Sequence, residues 1–74
     1  MTRLPSLSGE KIIKALSKAG FEIDRQRGSH VHLKHLDGRA TVIPIHKGES
    51  IGRGLISKIL RDTELSREDF LRLL

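Results

Sequence analysis

The stretch "HVHLKHLDGRATVIPIH", residues 30–46, decides the fold of this chain. It holds two runs that alternate apolar and polar residues, as half-buried strands do. The first sets Val31 and Leu33 against His30, His32 and Lys34; the second is β-branched and runs from Ala40 to His46. Between them Asp37-Gly38 signals a hairpin. Loop length then settles which side chains share a face. A two-residue loop, Asp37-Gly38, pairs Leu33 with Val42 and His32 with Ile43, which puts Ile43 and Ile45 among the histidines. A three-residue loop, Leu36-Asp37-Gly38 with Gly38 left-handed, pairs Val31 with Ile43 and Leu33 with Thr41. A slip of one residue carries a strand's side chains to the other side of the sheet. Only the three-residue loop gathers the apolar residues on one face. It leaves His30, His32, Lys34 and His46 together on the opposite, wetter face. Pro44 cannot donate to a ladder, so this strand belongs at an edge.

Working outward toward the N-terminus, Phe21 to Gln26 ("FEIDRQ") alternates in the same way and predicts a further strand. Before it, Ile12, Ala15, Leu16 and Ala19 recur at helical spacing, with Ser8 placed to cap the helix and Gly20 to stop it. Lys11, Lys14 and Lys18 form a second stripe that reads as a solvated face. Toward the C-terminus, "KGESIGRG" leads into a helix around Leu55, Ile56, Ile59 and Leu60. A last short helix opens at Leu65-Ser66 with Asp69 and Phe70 following, a hydrophobic staple and capping box. The order α-β-β-β-α plus a short C-terminal helix predicts an α+β domain, a three-stranded antiparallel sheet with helices on one face. It is expected as one domain over residues 1–74.

Composition narrows the function. A chain of 74 residues with no cysteine has neither disulfides nor thiolate metal sites to support a small core, so a partner or self-association is expected. No apolar run approaches a membrane span and "MTRLPSLSG" lacks the apolar stretch of a signal peptide, which makes a cytoplasmic location the expectation. A net charge of +5 suits a polyanion, although small basic domains without such a partner exist. With only two phenylalanines among its aromatic residues, the chain is poorly equipped to stack bases, so contacts to phosphate and sugar are expected.

Three of the four histidines fall within residues 28–35, "GSHVHLKH". His30 and His32 point the same way from a strand, and with His46 they would number the three protein ligands zinc needs. The H-x-H spacing is weak support, since polar strand faces carry paired histidines without metal; no metal or cofactor is expected. Acid–base catalysis is the second reading. Cleavage of RNA by its own 2′-hydroxyl needs a group to take that proton and one to protonate the leaving oxygen, and histidine does both near neutrality. "RQRGSH" offers Arg25 and Arg27 for phosphate, Gly28 for close backbone approach, Ser29 as a donor and His30 as base or acid. The third reading is RNA binding without chemistry, by shape and 2′-hydroxyl contacts.

These residues together resemble the HicA family of toxin mRNA interferases. The likeness rests on a helix ending in Gly20-Phe21, then Arg25-Gln26-Arg27-Gly28-Ser29-His30, a hairpin at Asp37-Gly38, Pro44 with His46, Lys47 and Gly48 following, and a Gly-Leu-x-x-Ile-Leu helix. It covers the chain from about Leu7 to Leu74. The resemblance implies a double-stranded-RNA-binding-like fold, ribosome-independent mRNA cleavage without a cofactor, and His30 as the family's essential histidine. It also implies a HicB-type antitoxin that binds the toxin and masks its active site, with an oligomer as one form of that complex. His46 is the candidate second acid–base group, and a single histidine with basic residues is the alternative. Arg25, Arg27, Gly28, Ser29 and Lys47 are the expected RNA contacts, joined by Lys34 and by His32, the latter a contact or a bystander. His35 faces the buried side and is expected to be structural.

Overall fold

Ser8 opens the first helix, α1 (Gly9–Lys18), its hydroxyl accepting from the Lys11 N–H at 3.3 Å. The computed structural model describes residues 6–74; of the span expected as one domain, and of the leading stretch read for a signal peptide, residues 1–5 lie outside the described residues. Ile12, Ala15 and Leu16 are buried and Lys11, Lys14 and Lys18 exposed, as the two stripes predict. Gly20 follows the helix at φ 97°, in the left-handed region where glycine carries no Cβ penalty.

Strands β1 (Phe21–Arg27), β2 (His30–His35) and β3 (Ala40–Pro44) form an antiparallel sheet in that order. Val31 pairs with Ile43 and Leu33 with Thr41, the register of the three-residue loop, and Gly38 has φ 99°. Phe21, Val31, Leu33, Thr41 and Ile43 are buried under the helices, while His30 and Lys34 on the other face are exposed. Pro44 is the last residue of β3, an edge strand, the position that its missing donor favours. Helix α2 (Arg53–Thr63) buries Ile56, Ile59, Leu60 and Thr63, and α3 (Arg67–Leu73) buries Phe70. Ser66 caps α3 by accepting from the Asp69 N–H at 3.1 Å. The fold is α+β with the expected α-β-β-β-α order and added C-terminal helix. Each fully buried Val, Leu, Ile or Phe side chain contributes roughly 1.5–3 kcal/mol, and the twelve core side chains among the described residues include some from every element.

Two departures from the sequence reading bear on the site. The third strand is shorter than the run from Ala40 to His46: after Pro44 only the Ile45 N–H extends the ladder, to the Ser29 carbonyl at 2.6 Å, and His46 lies in the following loop. β1 also breaks its alternation. Ile23 pairs with Leu33, but Arg25 rather than Asp24 takes the next position, opposite His32. Asp24 is the extra residue of a β-bulge. Only Phe21 of this strand is buried, and Ile23, at the outer edge of the sheet, is 59% exposed.

The hairpin turn is tied to the rest of the molecule by charge and ring contacts. Arg39 meets Asp37 at 2.8 Å, lies over the Phe21 ring at 5.1 Å from its centroid, and donates to the Thr63 carbonyl at the end of α2. His35 meets the same ring edge-on at 5.1 Å, and its Nδ1 accepts from the Asp37 N–H at 3.1 Å. It therefore faces the covered side, as expected. A Cβ on Gly20 would lie 2.8 Å from His35 Nε2, so a side chain there would have to push the His35 ring aside as well as adopt an unfavourable φ.

Candidate nucleic-acid interface

The bulge at Asp24 does more than bend an edge. Under strict alternation Arg25 and Arg27 would follow Phe21 and Ile23 onto the helix-covered face. The inserted residue reverses that phase. Arg25 now stands opposite His32 and Arg27 opposite His30, and residues opposed across an antiparallel ladder share a face. The open face thus carries two successive rungs, Arg27–His30–Pro44 and Arg25–His32–Val42. Lys34 lies on the next rung, between Glu22 and Ala40.

Gly28 and Ser29 make the turn that joins β1 to β2. Gly28 has φ 56°, and nothing lies within 4 Å of where its Cβ would be. Its carbonyl accepts from Gln26 Nε2 at 3.0 Å, which holds the turn against its own strand. The backbone there is open to an approaching group, the property glycine brings to such a turn. Ser29 is half-buried and its carbonyl is taken by Ile45. That bond places His46 just beyond the turn. The Glu49 N–H donates to the His46 carbonyl at 3.0 Å, and Gly48 at φ 81° turns the chain, leaving His46 and Lys47 exposed beside the Gly28–Ser29 corner.

His30, Arg25, Arg27, Lys34 and Lys47 are exposed and His32 half-buried. No ion pair within 4 Å joins any of them to a carboxylate among the described residues. The arginine and lysine side chains are left to face solvent or a bound anion. No three His, Asp or Glu side chains among the described residues are grouped to hold a metal ion, so His30, His32 and His46 do not form the three-ligand set that their sequence positions allow. The arrangement sets Arg25, Arg27, His30, His32 and Lys34 on the open face over three successive rungs, with the Gly28–Ser29 turn at one end. His46 arrives there from a loop rather than from a strand.

Some residues that shape this face escaped sequence reading. Asp24 gives no signal in the alternation except that its neighbours Arg25 and Arg27 fall on the wrong phase for a surface role. Gly9 is buried at the start of α1, and a Cβ there would collide with the Pro44 carbonyl oxygen, so it lets α1 close against the end of β3. Across the sheet, the Thr41 hydroxyl donates to Asp62 at 3.0 Å and Lys58 meets the same carboxylate at 2.8 Å. These bonds hold the Asp62 carboxyl below its usual range; the Lys58 contact is the larger cause, with Thr41 adding to it and partial burial opposing. Asp37 is lowered too, mainly because its carboxylate accepts from the Arg39 N–H.

No helix among the described residues is long and apolar enough to cross a membrane. No curated protein matches the sequence. Residues 9–65, from the start of α1 to the loop before α3, match the family described as HicA toxin of bacterial toxin-antitoxin. That match takes in the whole sheet, the Gly28–Ser29 turn and α2, and the chain belongs to the HicA family of toxins of bacterial toxin–antitoxin systems.

Proposed function

We propose that this chain is the toxin of a type II pair, a single-domain, ribosome-independent endoribonuclease that cuts mRNA with His30 as general acid or base. One observation carries the reading: His30 is exposed on the open face, opposite Arg27 and beside a glycine turn with free space around it. A phosphate drawn to Arg25 and Arg27 reaches the imidazole without displacing any protein group. In the reaction the ribose 2′-oxygen bonds to phosphorus and the bond from phosphorus to the 5′-oxygen breaks. The 2′-hydroxyl proton passes to a base, and the departing 5′-oxygen takes one from an acid. Arginine beside these groups offsets charge that builds on the phosphoryl oxygens, and positioned acid–base groups typically supply about 10²–10⁴ in rate. His30 is one of the two proton carriers and His46 the candidate for the other. Ser29 and Lys47 position the strand, and His32 and Lys34 extend the contact along the ladder. The residues need no metal or cofactor for this chemistry.

Family membership places the protein with an antitoxin. A HicB-type partner that laid carboxylates over the cationic rungs would block RNA and bind faster at low salt, in an oligomeric complex as one of its forms. The test of the activity is direct. Purified protein is incubated with an unstructured RNA, alongside His30→Ala and a substrate carrying a 2′-deoxy group at the cut site. Loss of cleavage in both, with RNA binding retained, is expected. Cleavage by His30→Ala at the wild-type rate would remove this residue from the chemistry, and binding without cleavage by the wild type would favour an RNA-binding module.

A further inference from the structure

Two carboxylates beside the open face, Glu22 and Asp24, have no part in that proposal. A shallow depression of about 340 Å³ lies across β2 and β3, and Asp24, His32, Lys34, Ala40 and Val42 line it. That volume falls at the small end of ligand sites, which run from about 300 to 1,000 Å³. Its floor is the ladder in which His32 pairs with Val42 and Lys34 with Ala40. At its far side Asp62 is already engaged by Lys58 and Thr41. Glu22, on the rung of Lys34, does not line the depression. Asp24, at the bulge, has no residue opposite, and no cation lies within ion-pair distance of it among the described residues.

An ionised carboxylate only accepts hydrogen bonds. On a face otherwise suited to phosphate it repels the backbone of RNA and attracts a donor. Bases differ sharply in what they offer such a group. Guanine presents the N1 and N2 hydrogens side by side, a fork that matches two carboxylate oxygens, with O6 and N7 as acceptors on the adjoining edge. Lys34, with donors only, suits those acceptors. Adenine offers one amino group between two acceptors, cytosine one amino group with an acceptor on one side, and uracil one imino hydrogen between two carbonyls. Ala40 and Val42 give the ring plane an aliphatic floor, and the His32 imidazole can stack on it. The depression lies one rung from His30, about 6.7 Å along the strand at two residues of strand rise. A nucleotide adjacent to the scissile phosphate can therefore place its base there.

We propose that the depression at Asp24 is a nucleobase subsite that selects guanine next to the bond cut at His30. The proposal rests on the RNA-cleaving reading above, and its test separates the two. Short single-stranded RNAs of otherwise uniform sequence carry one guanosine walked along the chain, and a matched set carries inosine, which lacks the N2 amino group. Cleavage sites and kcat/KM are measured for wild type, Asp24→Asn and Asp24→Glu, with circular dichroism to check that each variant is folded. Wild type is expected to cut at a fixed offset from the guanosine and at least about tenfold faster than at inosine, since the lost bond is to a charged group. Asp24→Asn should lose most of that preference and fall less on the inosine set, whose N1 hydrogen alone meets the carboxylate in wild type, and Asp24→Glu should keep part of it. Wild-type cleavage with no guanosine preference, or a preference untouched in Asp24→Asn, would overturn the subsite and leave the nuclease standing. If wild type cuts none of the RNAs, the nuclease reading fails, and anisotropy binding to the same two sets still decides the subsite. Tighter binding of guanosine that Asp24→Asn abolishes supports it, and equal binding overturns it.

Discussion

Arg27 and His30 are cross-strand partners on the last rung before the Gly28–Ser29 turn, and no carboxylate engages either one among the described residues. A guanidinium and an imidazole are thereby fixed to one another by backbone pairing rather than by a side-chain bond. Replacing Arg27 with alanine is expected to lower kcat/KM for RNA cleavage by about 10²-fold, the scale of losing one charge-stabilising donor. Arg27→Lys should recover part of this, because lysine keeps the charge and lacks the two-pronged guanidinium. Alanine at wild-type rate would mean that phosphate is held elsewhere.

His46 reaches the same corner from a loop. If it is the second proton carrier, wild type shows a bell-shaped pH–rate profile and His46→Ala loses one limb with about a 10²-fold drop in rate. A profile that keeps both limbs in that variant would leave His30 acting with basic residues alone. The measurement is kcat/KM across pH with a single-site RNA.

Thr41 is 3% exposed, so its hydroxyl depends on Asp62 for a partner. Asp62→Ala strands that hydroxyl and should destabilise the fold by about 1–3 kcal/mol, read from urea unfolding. The same carboxylate sets an acid limit. Its pKa is lowered on folding from the usual 3.8. The stability it contributes is therefore fully present above that value and is lost as pH falls through the lower, folded one. Wild type should show this loss below about pH 4, and Asp62→Asn should show a smaller slope there.

Glu64 closes α2 with φ 57°, the only positive φ at a non-glycine position among the described residues. Its N–H donates to the Arg61 carbonyl at 3.2 Å and the next N–H, from Leu65, to that of Leu60 at 3.1 Å, the pattern in which glycine is favoured. Glu64 also sets a negative charge at the negative end of the helix. Glu64→Gly should raise stability by about 0.5–1 kcal/mol, because relief of left-handed strain outweighs the entropy cost of glycine. A lower midpoint in thermal or urea unfolding would contradict this.

The hairpin was legible because only one loop length kept Val31, Leu33, Thr41 and Ile43 on one face, and Ser8 and Ser66 named their helices by cap chemistry alone. Those are local rules, and they held. The phase of Arg25 and Arg27 was not legible, since a bulge depends on pairing with a strand that alternation along one strand does not describe. The same limit hid Gly9, whose need for space comes from Pro44 thirty-five positions away, and Arg39, whose partners lie on β1, in the turn and at the end of α2. His46 was read as part of the third strand, but the ladder continues only one bond past Pro44, from Ile45 to Ser29, and the strand does not reach it.

The irregularity at Asp24 also lies on an open edge of the sheet. β1 is an outermost strand, and an evenly spaced row of free N–H and C=O groups there would template a further strand from a neighbouring molecule. One surplus residue in mid-strand spoils that spacing, and the charges on either side of it repel a flat, greasy approach. The bulge thus guards a small, sparsely cored protein against stacking into fibrils at the very edge where its arginines are presented.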